Sequence, residues 1–195
     1  MGTLIPLPRD GASLTEISDE MLVRAVGEGD HAAMAELFDR FQAHVFRFLA
    51  RMIGHDDAEL DDLVQMTFVE AHRASSRFRA RSAVKTWIFG IAANIARHHI
   101  RGQRRFRNAI ARFFTSDRPT AVLPDARAEQ AQLLSCHQQA VAALPHALRT
   151  AYVLCVIEET PCSEAARALG VREGTLWRRV HEARQAIRRA LEGER

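Results

Sequence analysis

Apolar residues recur at three- and four-residue steps along most of this chain, the spacing of one buried helix face. Met34, Leu37, Phe38, Phe41, Val45, Phe48, Leu49 and Met52 form the longest such stripe, with Asp30 as its N-cap and Gly54 as its stop. A shorter helix precedes it, running to Val26 behind a Ser18 or Asp19 cap, with Leu22, Val23 and Val26 on one side. A third is predicted behind Asp56 or Asp57, with Leu60, Leu63, Val64 and Phe68 as its stripe. Residues Arg77 to Ser82 lose the period and read as a loop, Ser82 being a possible cap. Val84, Trp87, Ile88, Ile91 and Ile95 resume it in a helix reaching about Arg101, with Gly102 past its end. The clusters of Gly, Pro and β-branched residues that signal strands are missing. The pattern predicts an all-α protein.

From residue 103 to about 126 the stripe is gone, and Pro119, Pro124, Thr115, Ser116 and Asp117 mark a flexible linker. Phe113 and Phe114 sit in it and pack either locally or against a partner. A second helical unit follows over 127–195. It holds a helix through Leu133 and Leu134 ended by Leu144-Pro145, then one over 147–157 with Leu148, Tyr152, Val153 and Val156. Ser163 to Leu176 reads as a short helix, a glycine turn and a second helix. Ala166, Gly170 and Leu176 supply the small crossing residue, the positive-φ turn and the apolar anchor of a helix-turn-helix. The last helix continues through Val180, Ala183, Ile187 and Leu191, and its other face carries Arg178, Arg179, Arg184, Arg188 and Arg189. Two small helical domains are expected, 18–102 and 127–195, behind a flexible lead over residues 1–17.

Charge changes the picture. The net value of +3 conceals an acidic block, Asp56, Asp57, Glu59, Asp61, Asp62 and Glu70, followed by a stretch with no acid until Asp117. That stretch holds Arg73, Arg77, Arg79, Arg81, Lys85, Arg97, Arg101, Arg104, Arg105, Arg107 and Arg112, interleaved with Phe78, Trp87, Phe89 and Phe106. Ordinary helix surfaces mix signs to gain i,i+4 pairs, so a one-sign field with aromatic faces points to nucleic acid whose bases can stack. The acidic block suits a basic partner, and its first members equally suit a helix N-terminus. No apolar run approaches the roughly 20 residues of a membrane span, and the N-terminus lacks the regions of a signal peptide. Three scattered cysteines, Cys136, Cys155 and Cys162, make no disulfide framework, and a reducing cytoplasm is the expected setting. Cys136 and Cys155 read as buried small hydrophobes, while Cys162, after Pro161 near the helix-turn-helix entry, is open between a buried and an exposed position. His72, His98, His99 and the Asp61-Asp62 pair are the constellation to check for an enzyme. Adjacent histidines point about 100° apart on a helix, and no HExxH, P-loop or GxSxG motif exists, so no catalytic residue, metal or cofactor is expected.

With both units in view the chain resembles the extracytoplasmic-function (ECF) sigma factors, the small two-domain branch of the sigma-70 family. The resemblance rests on Asp62-Leu63-Val64-Gln65-Met66-Thr67-Phe68, Phe78-Arg79-Ala80-Arg81-Ser82, Thr86-Trp87-Ile88-Phe89, Ile91-Ala92 and Asn94 in the first unit. In the second it rests on Ala143-Leu144-Pro145, Ser163-Glu164-Ala165-Ala166, Leu169-Gly170-Val171, Gly174-Thr175-Leu176 and His181-Glu182-Ala183-Arg184. It implies a transcription initiation factor rather than an enzyme. Asp61, Asp62, Gln65, Met66, Phe68 and Val69 would dock on the β′ clamp helices of core RNA polymerase, and the linker would thread its channels against the β subunit. Phe78, Arg79, Ser82, Lys85, Trp87, Asn94, Arg97 and Arg101 would read and melt the −10 promoter element, capturing a base and the freed strand. Trp87 is open between core packing and a role at the melted edge. Arg172, Thr175, Trp177, Arg178, Arg179 and Arg184 would bind the −35 element as duplex. An anti-sigma factor is the implied regulator.

Some residues depart from the family's pattern: Met66 for an acid, Gly90 and Ala93 at positions often basic, His98 for Asp, and Trp177-Arg178 for Lys-Ser. They bear on which promoter is read. The alternative is a stand-alone helix-turn-helix regulator, which predicts a palindromic site and a dimer.

Overall fold

The computed structural model describes residues 17–54, 58–111 and 129–192. These hold eight helices, one π-helical turn and no strand. Helix α1 (Asp19–Gly27) starts where Ser18 Oγ accepts the Met21 N–H. Asp30 caps α2 (His31–Ile53) by accepting from the amides of Ala32 and Ala33, two donors a helix start leaves unpaired. Helix α3 (Leu60–Ser75) begins behind Glu59, which makes no side-chain cap bond; Asp56 and Asp57, the expected caps, lie outside the described residues. The residue before α4 (Val84–Ala111) is Ala83, not the expected Ser82.

Helix α4 also runs ten residues beyond its expected end at Arg101. Gly102 sits inside it. A mid-helix glycine costs only about 1 kcal/mol relative to alanine, and Gln103, Arg104 and Arg105 beyond it are good helix formers. The linker expected from residue 103 is therefore helical as far as Ala111. Phe113 and Phe114 lie outside the described residues.

The second unit contains α5 (Glu129–Ala143), α6 (His146–Tyr152) and the π-turn Val153–Ile157, then α7 (Cys162–Leu169) and α8 (Glu173–Glu192). The π-turn replaces the end of the expected helix over 147–157. Gly170 has φ 64°, the left-handed conformation the turn between α7 and α8 was expected to need. Ala166 and Leu176 are buried at the helix crossing, and Val180, Ala183 and Ile187 continue the buried stripe of α8.

In the first unit the stripes read from sequence converge on one core. Leu37, Val45, Phe48, Leu49 and Met52 of α2 meet Ile88, Phe89, Ala92 and Ala96 of α4 with no more than traces of exposure. Phe48 and Phe89 stack with ring centroids 4.6 Å apart and planes 11° apart. The two units also pack on each other, α4 against α7 and α2 against α5 and α6, and their buried residues form one contiguous cluster. Arg149 of α6 donates to the carbonyls of Met52, at the end of α2, and of Ala142 and Leu144, at the end of α5. Two nitrogens of this half-buried guanidinium are thus met by carbonyls that helix C-termini leave free, while its Nε is buried with no partner.

Candidate nucleic-acid interface

Three surfaces carry the chemistry. The first is the outward side of α3. Asp61, Asp62 and Gln65 are exposed there, and Met66 and Val69 show 52% and 50% of their surface to solvent. Phe68 does not belong with them. It is 3% exposed and lies edge-on to Phe38, centroids 4.8 Å apart, because the helical period turns it inward with Val64 and Ala71. Phe46 of α2, which sequence reasoning passed over, is exposed beside this face. With Arg47 it lines a concavity of about 500 Å³ that also holds Asp61 and Gln65. Its signal was available, since Phe46 falls off the buried stripe of Val45, Phe48 and Leu49.

The second surface is the loop from Ser76 to Ala83. Its start is set by the Arg77 and Phe78 amides donating to the carbonyls of Ala74 and Ser75. Arg79 NH1 donates to the Ser76 and Phe78 carbonyls at 3.1 and 3.3 Å. Ala80 holds φ 50°, a conformation that costs a non-glycine residue about 1–2 kcal/mol, so the loop is shaped before any ligand arrives. Beneath it lies a cavity of about 450 Å³ lined by Arg24 and Gly27 of α1, by Glu28 just past its end, and by Ser76, Phe78 and Arg79. The α1 residues were not foreseen, because nothing local in the sequence ties residue 27 to residue 76. Phe78 packs on Trp87, centroids 4.9 Å apart, and both rings are half-buried. Trp87 therefore has one side on the core and one side free.

Asn94 is not at this loop. It lies ten residues into α4, about 15 Å along the axis from its start, in a groove with Met66, Glu70, Ile91 and His98. Lys85, at the start of α4, and Arg97 and Arg101, farther along it, each lie near residues of the second unit. Lys85 Nζ is 2.9 Å from Glu158, and it lies 5.3 Å from the Phe89 ring centre. Arg97 and Arg101 are exposed, close enough to His146 of α6 for their charge to act on it. Ser82 is half-buried at the loop's end.

The third surface is the start of α8. Arg172 precedes the helix and is exposed, Thr175 is half-buried, and Trp177 is 55% exposed with its Nε1–H donated to Glu173 at 3.3 Å. Arg178 is exposed and Arg179 half-buried. Arg184, two turns on, lies near enough to Tyr152 for its charge to oppose the upward push that burial gives the phenol. It belongs to the α6 end of the unit rather than to the Trp177 surface.

His146 reports on the seam between the units. Burial lowers its pKa to about 4, helped by the charges of Arg149 and Arg97, with the Ala93 carbonyl working weakly the other way and Arg101 adding to the drop. The ring is neutral at pH 7. An unfolded histidine titrates near 6.5, so this group's share of stability is whole above that pH and is lost as pH falls from 6.5 toward about 4. Urea midpoints are expected to fall across that window, and His146→Asn to flatten part of the fall.

Cys162, whose exposure the sequence leaves open, is buried, and Cys155 beside it is half-buried. Burial, then a hydrogen bond with Cys162, push the Cys155 thiol up to about 12, which removes the thiolate on which reactivity depends. His99 Nδ1 lies 3.2 Å from Glu59, and its Nε2 is 2.9 Å from Gln103. Among the described residues no group of three or more His, Cys, Asp or Glu is placed to hold a metal, and no helix is long and apolar enough to cross a membrane.

A helical unit with a shaped cationic loop, joined to a helix-turn-helix, defines a transcription-factor architecture, and comparison with known proteins places it. The Sigma-70 region 2 family matches residues 37–106, and the Sigma-70, region 4 family matches residues 134–187. RNA polymerase sigma-H factor of Pseudomonas aeruginosa is 32% identical over 92% of this chain and 96% of its own length. ECF RNA polymerase sigma factor SigM of Mycobacterium tuberculosis is 31% identical over 90% of this chain and 86% of its own. Among solved structures, CnrH in complex with the cytosolic domain of CnrY has the same fold, with TM-score 0.63 and 24% identity over 91% of this chain and 99% of that one. The sigma factor RpoE of Bartonella quintana, in complex with the anti-sigma factor NepR, gives TM-score 0.58 and 22% identity over 83% and 98%. The chain belongs to the extracytoplasmic-function branch of the sigma-70 family of RNA polymerase sigma factors. It is a transcription initiation factor that directs RNA polymerase to promoters, not a stand-alone regulator.

Proposed function

We propose that the outward face of α3, with Asp61, Asp62, Gln65, Met66 and Val69 and joined by Phe46, is the docking surface for the β′ clamp helices. The loop pocket is the −10 reader. An extruded base enters between Arg24, Glu28, Ser76 and Phe78, whose polar groups can meet its edge while an aromatic face supplies stacking. Arg79, Lys85, Arg97 and Arg101 hold phosphates of the freed strand, and Asn94, down in the α3–α4 groove, meets the strand or the polymerase farther along. At the −35 element, Arg172, Thr175, Trp177 and Arg178 approach the major groove, where the exposed indole offers an apolar face to a thymine methyl. Arg179 and Arg184 add backbone contacts. The protein works in the cytoplasm, where polymerase and promoters are, under an anti-sigma factor like those held by CnrH and by the Bartonella protein.

The observation that carries this reading is the shaped loop over its cavity at the start of a cationic helix. Native-gel titration with core RNA polymerase, followed by run-off transcription, tests it, and failure to bind core ends it. Trp87 supplies a finer check. Trp87→Ala is expected to slow promoter opening about tenfold, read by permanganate reactivity of melted thymines, with Trp87→Phe near normal. That factor is the loss of about one stacked base, 1–3 kcal/mol. Normal opening in a folded Trp87→Ala chain would make the indole packing alone.

A further inference from the structure

The start of α8 carries one group that a surface built only to meet phosphates would be better without. Glu173, the first residue of the helix, is exposed between Arg172 and the exposed Trp177 and Arg178. Glu182, the next acid along α8, is held by Arg178 at 3.8 Å, whereas Glu173 makes no ion pair among the described residues. Its Oε1 instead accepts the Trp177 indole N–H at 3.3 Å, and that indole is 55% exposed. An acid in a first helical turn suits the macrodipole, but the macrodipole asks for no particular partner or orientation. Here the carboxylate is tied to the side chain set to touch a base.

Glu173 and Trp177 are four residues apart and so lie on one side of the helix. They stand in its first turns, the part of a helix-turn-helix that reaches base edges in the major groove. The indole bond occupies Oε1 and holds the carboxylate in place, which leaves Oε2 for a ligand. An ionised carboxylate only accepts, so the base it meets must donate. In that groove guanine shows two acceptors and thymine one, and adenine sets its N7 acceptor beside its amine. Cytosine alone presents an amine, N4, with no acceptor of its own next to it. The 3.3 Å between Oε1 and Nε1 is close to the rise of about 3.4 Å between bases on one strand, so the two side chains meet neighbouring bases.

We infer that Glu173 is a specificity-determining residue of the −35 contact, its free oxygen accepting from the N4 amine of a cytosine whose neighbouring thymine lays its methyl on Trp177. The inference rests on the promoter reading above and adds base identities to it. At any other base the carboxylate is desolvated beside phosphates without a donor. Glu173 therefore acts mainly by rejecting wrong sequences, at some cost to affinity in general.

A pool of promoter duplexes randomised across the −35 element tests this. It is offered to holoenzyme assembled from the full chain and core RNA polymerase, and the retained duplexes are sequenced. With the parent, one position is expected to favour cytosine about tenfold over other bases, beside a position that favours thymine. Glu173→Ala is expected to level the cytosine position to within about twofold and to leave the other positions as they were. Glu173→Gln is expected to move the preference to adenine, because an amide pairs with N6 and N7 together. A cytosine preference that survives Glu173→Ala overturns the inference, and so does a parent whose preferred element has no cytosine position. Equal loss of retention at every sequence in Glu173→Ala also overturns it, since an acid that only supports the helix start would behave that way. Failure of the promoter reading itself looks different: the parent holoenzyme then favours no base at any position.

Discussion

A chain carrying Met66→Asp and Val69→Asp is expected to lose at least a hundredfold in affinity for core RNA polymerase while melting at the parent's temperature. Both side chains are half exposed and lie outside the core, so their replacement is felt within about 0.5 kcal/mol in stability. In a bound interface the same two positions are the apolar members of the α3 face, with Asp61, Asp62 and Gln65 exposed on the same helix. Losing a central anchor costs about 2 kcal/mol or more, and burying a new carboxylate there adds desolvation. Native-gel titration against core polymerase measures the loss, and thermal denaturation measures the fold. Unaltered binding would remove the α3 face from the docking surface. The substitution that alters only Asp61 and Asp62 should have a smaller effect that shrinks in high salt, because exposed charges steer more than they hold.

Phe89→Ala is expected to cost about 3–5 kcal/mol, the range for emptying a fully buried aromatic site. Phe89 has no solvent exposure and is stacked on Phe48, which has none either, so neighbouring helices cannot close the void cheaply. Against the usual 5–15 kcal/mol of a domain this is a large share. Urea unfolding followed by circular dichroism should show a lower midpoint, and promoter activity should fall with the folded fraction. Phe89→Leu keeps most of the volume and is expected to cost nearer 1–1.5 kcal/mol. An equal loss in both variants would mean that ring stacking rather than volume dominates.

The helices are legible in the sequence where they carry wide apolar stripes and marked ends. Ser18 and Asp30 cap α1 and α2 as their side chains allow, and Gly170 makes the turn that only a positive φ could make. Misreadings came where a local signal was weak beside its surroundings. Gly102 looked like a stop, but one glycine does not end a helix flanked by strong formers. Phe68 was assigned to the docking face with its neighbours, yet the 3.6-residue period carries it inward. The resemblance sets Asn94 beside the loop from the adjoining helix, and ten helical residues put it about 15 Å along the axis instead, in the α3–α4 groove. The exposure of Cys162 is open in the sequence, and the packing of α7 decides it by burying the thiol.

By itself the sequence determined the helical class, the polarity of charge and the residue types at each surface. Those are properties of side chains and their spacing, and side chains are what a sequence records. The tertiary structure decided the floor of the loop pocket, where α1 meets Ser76, and the seating of α7 on α4. Several of those contacts are made through backbone atoms: the Ala83 amide to Glu164, the Ala168 carbonyl beside Gly90, the Met52 carbonyl under Arg149. Every residue has an amide and a carbonyl apart from the amide proline lacks, so no spelling of the chain marks which of them will be used. Only the packing of helices distant in sequence selects those few.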